Sequence, residues 1–268
     1  MVAQGLNTHK YLQYNPNTNN ANPLFSCYTS NSQQPVYLYL RSENYNITTN
    51  TVMSELLLFD FDRCTVSNEA TLTVTDTLRT SNQAQIVLAD GAKLIQPSNG
   101  VKIAMRKNIA AFTNDFNGWH CIASPLSEST AINSIDGLTV GAFDLYELDT
   151  ESWIIKNGQN ETLDNGEGYL YAHSSSNTAL QFNGTARACQ NVTMNLYYNT
   201  DAPERSFNLV GNPFTCNATV DRNYYVLEER NGVSTFTEKT TSEPIPPCTS
   251  ILVKANAVGE TITFTPIQ

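Results

Sequence analysis

Three histidines, His9, His120 and His173, are the only imidazoles in a chain of 268 residues, so acid–base chemistry near neutral pH has few places to start. Asp115, His120 and Ser124 supply the residue types of a nucleophilic triad, in which a base activates a hydroxyl and an acid orients the base. No GxSxG turn accompanies them, and the three positions do not share one face of a strand. A strand-edge polar cluster is the simpler reading, and His173, at a strand end, reads as a solvated loop-edge residue. The pairs Glu147/Asp149 and Glu228/Glu229 have the residue types for two-carboxylate glycoside hydrolysis. Both flank hairpin ends, where water is expected to keep carboxyl pKa values ordinary. Calcium takes carboxylate and amide oxygens, which Asn114, Asp115 and Asn117 offer at a glycine turn. Asp60 and Asp62 in "DFD" would offer more, from one face of a strand. Neither run completes an EF-hand loop, so surface turns explain them. No catalytic, cofactor or metal site is expected. Exposed aromatics are the better lead, because ring faces stack on the apolar faces of sugars. Trp153, "PVYLYL" (35–40) and "NLYYN" (195–199) are the candidates, although core packing is the stronger explanation of alternating aromatics.

The six cysteines, Cys27, Cys64, Cys121, Cys189, Cys216 and Cys248, show no CxxC spacing for zinc, and their pairing is open. Cys121 sits in an apolar run and reads as a buried thiol, whereas a Cys216–Cys248 disulfide between loops is conceivable. Charged residues make up only 15% of the chain and the net charge is −10, which argues against nucleic acid and anionic membrane surfaces as partners. No apolar run reaches the 18 residues a membrane helix needs. Polarity comes instead from Asn, Thr, Ser and Gln, which together with Val, Ile, Tyr and Phe suit strands and turns. The N-terminal "MVAQGLNTHKYLQYNPNTNNANP" carries no hydrophobic signal core.

The elements that would position these residues come in repeated order. "GWHCIASPL" (118–126) resembles "SFNLVGNPF" (206–214), aligning Trp119 with Phe207 and Pro125 with Pro213. "YLYAHSSSNTALQFNGT" (169–185) lies on "ILVKANAVGETITFTPI" (251–267) at a constant offset of 82, pairing Phe182 with Phe264. "FDLYE" (143–147) matches "YYVLE" (224–228), and "VKIAMRKN" (101–108) can be laid on "VTMNLYYN" (192–199). Asn231-Gly232 marks a type I′ hairpin, with Asp149-Thr150 at the corresponding turn. Alternating apolar positions and short connections predict antiparallel β-sandwich units at 101–185 and 192–268. Pro125 and Pro213 should end equivalent strands, since proline has no N–H for a ladder. Residues 36–100 show closely spaced strand bursts at 56–61, 71–74, 85–88 and 93–95, fitting a few β-helix rungs or a meander. Residues 1–35 read as irregular surface chain. The expected fold is therefore all-β: a short rung-like or meander region, then two duplicated antiparallel β-sandwich units.

"LADGAKLIQPSNGVKIAMRKNI", "GWHCIASPL", "LDNGEGYLYAHSSSNTALQFNGT" and "FNLVGNPF" occur in an order that resembles the repeats of large secreted, adhesin-like surface proteins of Bacteroidetes. The resemblance covers roughly residues 85–268. Two departures stand out: Ser206-Phe207 replaces Gly-Trp, and His120-Cys121 interrupts an apolar run. The resemblance implies export, a place in a longer protein, and a non-catalytic structural or adhesive role. The implied partners are other domains of that parent protein and a host or surface glycan or protein. A carbohydrate-binding accessory domain is the alternative, and a hydrolase a remote third.

Overall fold

The computed structural model describes residues 43–111, 117–150, 152–158, 160–173 and 178–268, together with three N-terminal strands. Residues 1–41 and 42–268 are separate compact units. In the first, strand β1 (Tyr11–Asn15) lies between β2 (Leu24–Tyr28) and β3 (Gln34–Pro35) in an antiparallel sheet. The expectation of irregular chain over 1–35 is corrected there. The short runs "YLQYN" and "LFSCY" carry enough strand-forming residues to pair despite their Asn-rich surroundings.

The second unit begins with β4 (Asn44–Ile47), β5 (Thr51–Leu58), β6 (Arg63–Val66), β7 (Thr71–Thr80), β8 (Gln85–Leu88), β9 (Lys93–Ile95) and β10 (Val101–Ile109). These alternate between two sheets, and within each sheet every rung pairs in parallel with the next. A meander would pair antiparallel, and these strands pair in parallel. Alternation explains it. Cys64, Ile86 and Ile103 are in register across β6, β8 and β10, as are Val66, Leu88 and Met105, and all six are buried. Leu72 stacks on Leu94 in the other sheet. Stacked inward residues of one type bury a continuous apolar column, at roughly 25 cal/mol per Å² of apolar surface.

Short polar side chains at or beside the turns between rungs accept amides from neighbouring strands. Asn50 Oδ1 takes the amide of Thr71 at 3.0 Å, Ser98 Oγ that of Leu78 at 3.1 Å, Thr80 Oγ1 that of Lys102 at 2.7 Å, and Asp90 Oδ1 that of Asn108 at 2.9 Å. Each reaches a neighbouring rung. This is where much of the Asn, Asp, Ser and Thr content goes.

Then follow β11 (His120–Ala123), β12 (Thr130–Ala131), β13 (Phe143–Asp149), β14 (Ser152–Ile155), β15 (Thr162–Leu163), β16 (Gly168–His173) and β17 (Thr178–Ala186). The chain continues through β18 (Val192–Asn195), β19 (Phe207–Gly211), β20 (Ala218–Val220), β21 (Tyr224–Arg230), β22 (Val233–Lys239), β23 (Ser250–Lys254) and β24 (Thr261–Pro266). Two four-stranded antiparallel sheets result, in orders β11-β16-β13-β14 and β19-β23-β21-β22, and these orders correspond strand for strand. His120 faces Tyr171 as Asn208 faces Val253, and Ile122 faces Tyr169 as Val210 faces Ile251. β10 pairs antiparallel with β17, and β18 with β24, with Met105 opposite Phe182 and Val192 opposite Phe264. Among the described residues no α-helix occurs, only 3-10 turns at Ile132–Ser134 and Pro203–Arg205.

Two alignments read from the sequence shift. Val192 corresponds in register to Met105, not Val101, because the start of β10 extends along the rungs. Tyr225 opposes Leu252 as Tyr146 opposes Leu170, so Tyr225, not Leu227, matches Tyr146. The second hairpin is two residues longer between that point and its turn. Asn231 and Gly232 both have positive φ, 53° and 79°, as a type I′ turn requires.

Pro125 and Pro213 lie two residues past the ends of β11 and β19, and both are buried. The residue before each proline caps the amide after it. Ser124 Oγ accepts from Leu126 N at 3.3 Å, and Asn212 Oδ1 accepts from Phe214 N at 3.1 Å. The Ser-Pro and Asn-Pro phrases are thus side-chain-capped turns.

Sheet edges meet where side chains are small. A Cβ on Gly211 would fall 2.5 Å from Ala123 Cβ and from the Glu167 carbonyl, and one on Gly168 would fall 2.6 Å from Ser250 Cβ. Gly211 N donates to Gly166 O at 2.7 Å across this junction. One apolar core runs from the rungs through Phe182, and a second gathers around Phe214, Tyr224, Ile251 and Phe264.

Candidate functional site

The most chemically varied concavity is a groove of about 470 Å³ where the two four-stranded sheets approach each other. The end of β13 brings Glu147 and Asp149, the turn before β16 brings Asn165 and Glu167, the segment after β18 brings Tyr197, and β19 brings Phe207. Asn208 holds this wall in place. Its Oδ1 accepts from Tyr197 N at 2.7 Å and its Nδ2 donates to Tyr197 O at 3.0 Å, so the side chain stands in for a neighbouring strand. Tyr197 is thereby presented with an exposed ring. Phe207 is less free, with Lys254 Nζ 5.7 Å from its ring centroid and Tyr225 at 6.4 Å edge-on.

The carboxylates differ in state. Burial raises the Glu167 carboxyl above its ordinary pKa, with Glu147 and Asp164 adding to the effect. Glu147 instead binds Lys156 at 2.9 Å, and the same ammonium reaches Glu161 at 3.1 Å. Glu147 and Glu161 together hold Lys156 above its usual value. In the other hairpin Lys239 and Arg230 pull Glu228 down to about 2. The expectation of ordinary carboxyls at hairpin ends is corrected by Glu228, because the Lys239 and Arg230 cations both reach its carboxylate. Glu147/Asp149 and Glu228/Glu229 are ion-paired or exposed hairpin residues. Glu167, the groove carboxyl whose pKa is raised, was not singled out, since "NGEG" reads as an ordinary turn.

Asp115 and Asn114 lie outside the described residues, as does His9. His120 and Ser124 are not brought together for catalysis. His120 Nε2 is engaged with the Ala110 carbonyl at 2.9 Å, and burial lowers its pKa. Ser124 is fully buried and serves its turn. His173 ends β16 opposite Phe143 and is half-buried, not solvated, because its backbone is committed to a central strand. Asp60 and Asp62 do not share a strand face, since β5 stops at Leu58 and they lie in the following turn. Asp62 is buried and caps Glu43 N at 2.7 Å and Phe59 N at 2.9 Å, while Asp60 caps Gln83 N at 3.3 Å. Asn117 is buried. Among the described residues no group of three or more His, Cys, Asp or Glu side chains could hold a metal ion.

Trp153 is exposed on the edge strand β14 beside Ile154 and Ile155. Of "NLYYN", Leu196 is buried and Tyr198 packs on the second core. "PVYLYL" lies outside the described residues beyond Pro35. Cys121 is half-buried, and burial pushes its thiol up to about 12. Cys216 has Cys189, not Cys248, as its neighbouring sulfur, and Cys248 belongs to the other core. Comparison with protein-family descriptions, curated proteins and solved structures finds no match to this chain.

Proposed function

We propose that this chain is a non-catalytic structural and adhesive module of a larger secreted or cell-surface protein, built from a few β-helix rungs and two duplicated antiparallel β-sandwich units. The observation that carries the reading is the five-stranded sheet β17-β10-β8-β6-β4. In it the last rung strand is also a strand of the first antiparallel unit, so rungs and unit share one hydrogen-bonded body. Such continuity suits a segment that transmits load and spaces other domains. The matching strand orders and registers of the two halves support duplication, and the sequence resemblance to Bacteroidetes adhesin-like repeats points to export. The candidate acid–base groups are mostly occupied by turns and ion pairs. β14 supplies an adhesive edge, because its outer side has no strand partner among the described residues and a strand edge bearing Trp153, Ile154 and Ile155 is a template for another chain.

A second reading, glycan binding, is favoured by the groove around Tyr197 and Glu167, which combines an exposed ring with a carboxyl free to bond hydroxyls. A glycan array with the purified chain separates the two. Signal that Tyr197→Ala abolishes would establish the groove as a sugar site. Silence across the array, with capture of β-strand peptides that Ile155→Lys abolishes, would support the first reading.

A further inference from the structure

We propose that Cys189 and Cys216 form a disulfide that closes residues 189–216 of the second half into a loop against the last turn of the rungs. Their sulfurs lie 3.6 Å apart, both side chains are buried, and their carrier segments are fixed from β9 and the turn that follows it. On one side, Cys189 N donates to Gln96 O at 2.8 Å, Gln96 Nε2 to Arg187 O at 2.8 Å, and Ala188 N to Asn99 Oδ1 at 2.9 Å. On the other, Leu94 N donates to Thr215 O at 3.0 Å and Thr215 Oγ1 to Leu94 O at 2.8 Å. The two cysteines are thus held at a spacing set by backbone hydrogen bonds to residues 94–99. Closing from 3.6 Å to a bond of about 2.05 Å asks each sulfur to move about 0.8 Å, within reach of side-chain torsion.

The pair differs from the other described cysteines. Burial pushes Cys64 up to about 11 and Cys248 to about 12, and neither has a sulfur partner among the described residues. Cys189 and Cys216 instead lie thiol to thiol, and either can donate to the other. Cys189, 5% exposed against 0% for Cys216, is the sulfur a small disulfide meets first. It also borders a small cleft of about 120 Å³ beside Gln96 and Pro97, which gives it a route to solvent.

The oxidant is a low-molecular-weight disulfide. The Cys189 thiolate attacks one sulfur of that molecule, breaking its S–S bond and releasing one thiolate, which takes up the Cys189 proton. Cys216 then loses its proton and attacks Cys189 Sγ, breaking the mixed disulfide and releasing the second thiol. Two protein thiols become one disulfide, and the reagent is reduced to two thiols. The closed loop spans residues 189–216 and covers the turn that pairs with Leu94.

Every cysteine in this chain falls in a different tryptic peptide, so the pairing can be read directly. The full chain is equilibrated with oxidised and reduced glutathione, alkylated, and digested without reduction. Expected is a cross-link between peptides 188–205 and 206–222 that vanishes on adding reductant. The oxidised protein should melt higher than the reduced one, by on the order of 10 °C, and this difference should disappear in Cys189→Ser and in Cys216→Ser. Separate alkylation of both cysteines after oxidation of the folded wild-type protein, or a cross-link of either to another cysteine, would overturn the proposal without recourse to any variant.

Discussion

Replacing Asn212 by alanine should be among the most damaging polar substitutions in the chain. Asn212 is fully buried, and its Nδ2 donates to the carbonyls of Cys216 and Ile245, each at 2.9 Å, and to the part-buried Pro246 carbonyl at 3.1 Å, while its Oδ1 accepts from Phe214 N at 3.1 Å. Ile245 O keeps a second donor, Ala218 N at 3.0 Å. Alanine therefore orphans the Phe214 amide and the Cys216 carbonyl, at about 1–3 kcal/mol each. The total, about 4 kcal/mol, is a large part of the 5–15 kcal/mol or so that holds an ordinary domain folded. Ser124→Ala at the corresponding turn removes one bond of 3.3 Å to the Leu126 amide, worth about 1 kcal/mol. Urea unfolding followed by circular dichroism measures both. With a slope of about 2–3 kcal/mol per M, the Asn212→Ala midpoint should fall by about 1.5 M, several times the shift for Ser124→Ala. Asn212→Asp should be worse still at neutral pH, because a carboxylate would face carbonyl oxygens. Equal, small shifts for the two alanine variants, or a stable Asn212→Asp, would refute the reasoning.

Gly211→Val should destabilise by at least about 2 kcal/mol, since the added Cβ meets the Glu167 backbone and Ala123; a thermal melt like the wild type's would show that the sheet junction is looser than described. Phe264→Ala should cost about 3–5 kcal/mol in chemical denaturation, because its ring is wholly buried in the second core. Burial alone would raise the Glu128 carboxyl, but the Thr185 and Ser127 hydroxyls and the Thr185 amide outweigh it, so its folded pKa is lowered. Its contribution is therefore full above the ordinary carboxylate pKa and is lost as pH falls through the lowered folded value. Melting temperatures of Glu128→Gln and wild type should accordingly converge in acid; a gap independent of pH would contradict this linkage.

The sequence carried the parts of this fold that depend on local pattern. Period-2 alternation in "ALQF" and "TITF" and the Asn231-Gly232 turn mark strands and hairpin directly, and in-order phrases mark the matching halves. What it could not carry was register across long separations. Val192 and Tyr225 align differently from their sequence phrases because pairing is decided by distant partners, Phe264 and Leu252. Asp62 looked like a strand residue because "LLLFDFD" alternates, yet the chain turns after Leu58 once its carboxylate can cap Glu43 and Phe59. The groove was the least legible. Glu167 acquires its raised pKa from burial, with Glu147 and Asp164 adding to it, only after the hairpin and the turn are brought together, and Tyr197 is positioned by Asn208 through tertiary hydrogen bonds.

Glu167 also locates the most direct test of the claim that this module presents surfaces and does no chemistry. It is the carboxyl in the groove held above its ordinary pKa, the property a general acid needs. Turnover of aryl glycosides, esters and peptides by the purified chain, measured alongside Glu167→Gln, is the decisive measurement. The account predicts background rates for both proteins. Turnover by the wild type that falls a hundredfold or more in Glu167→Gln, with an unchanged circular dichroism spectrum and Tm, would contradict it.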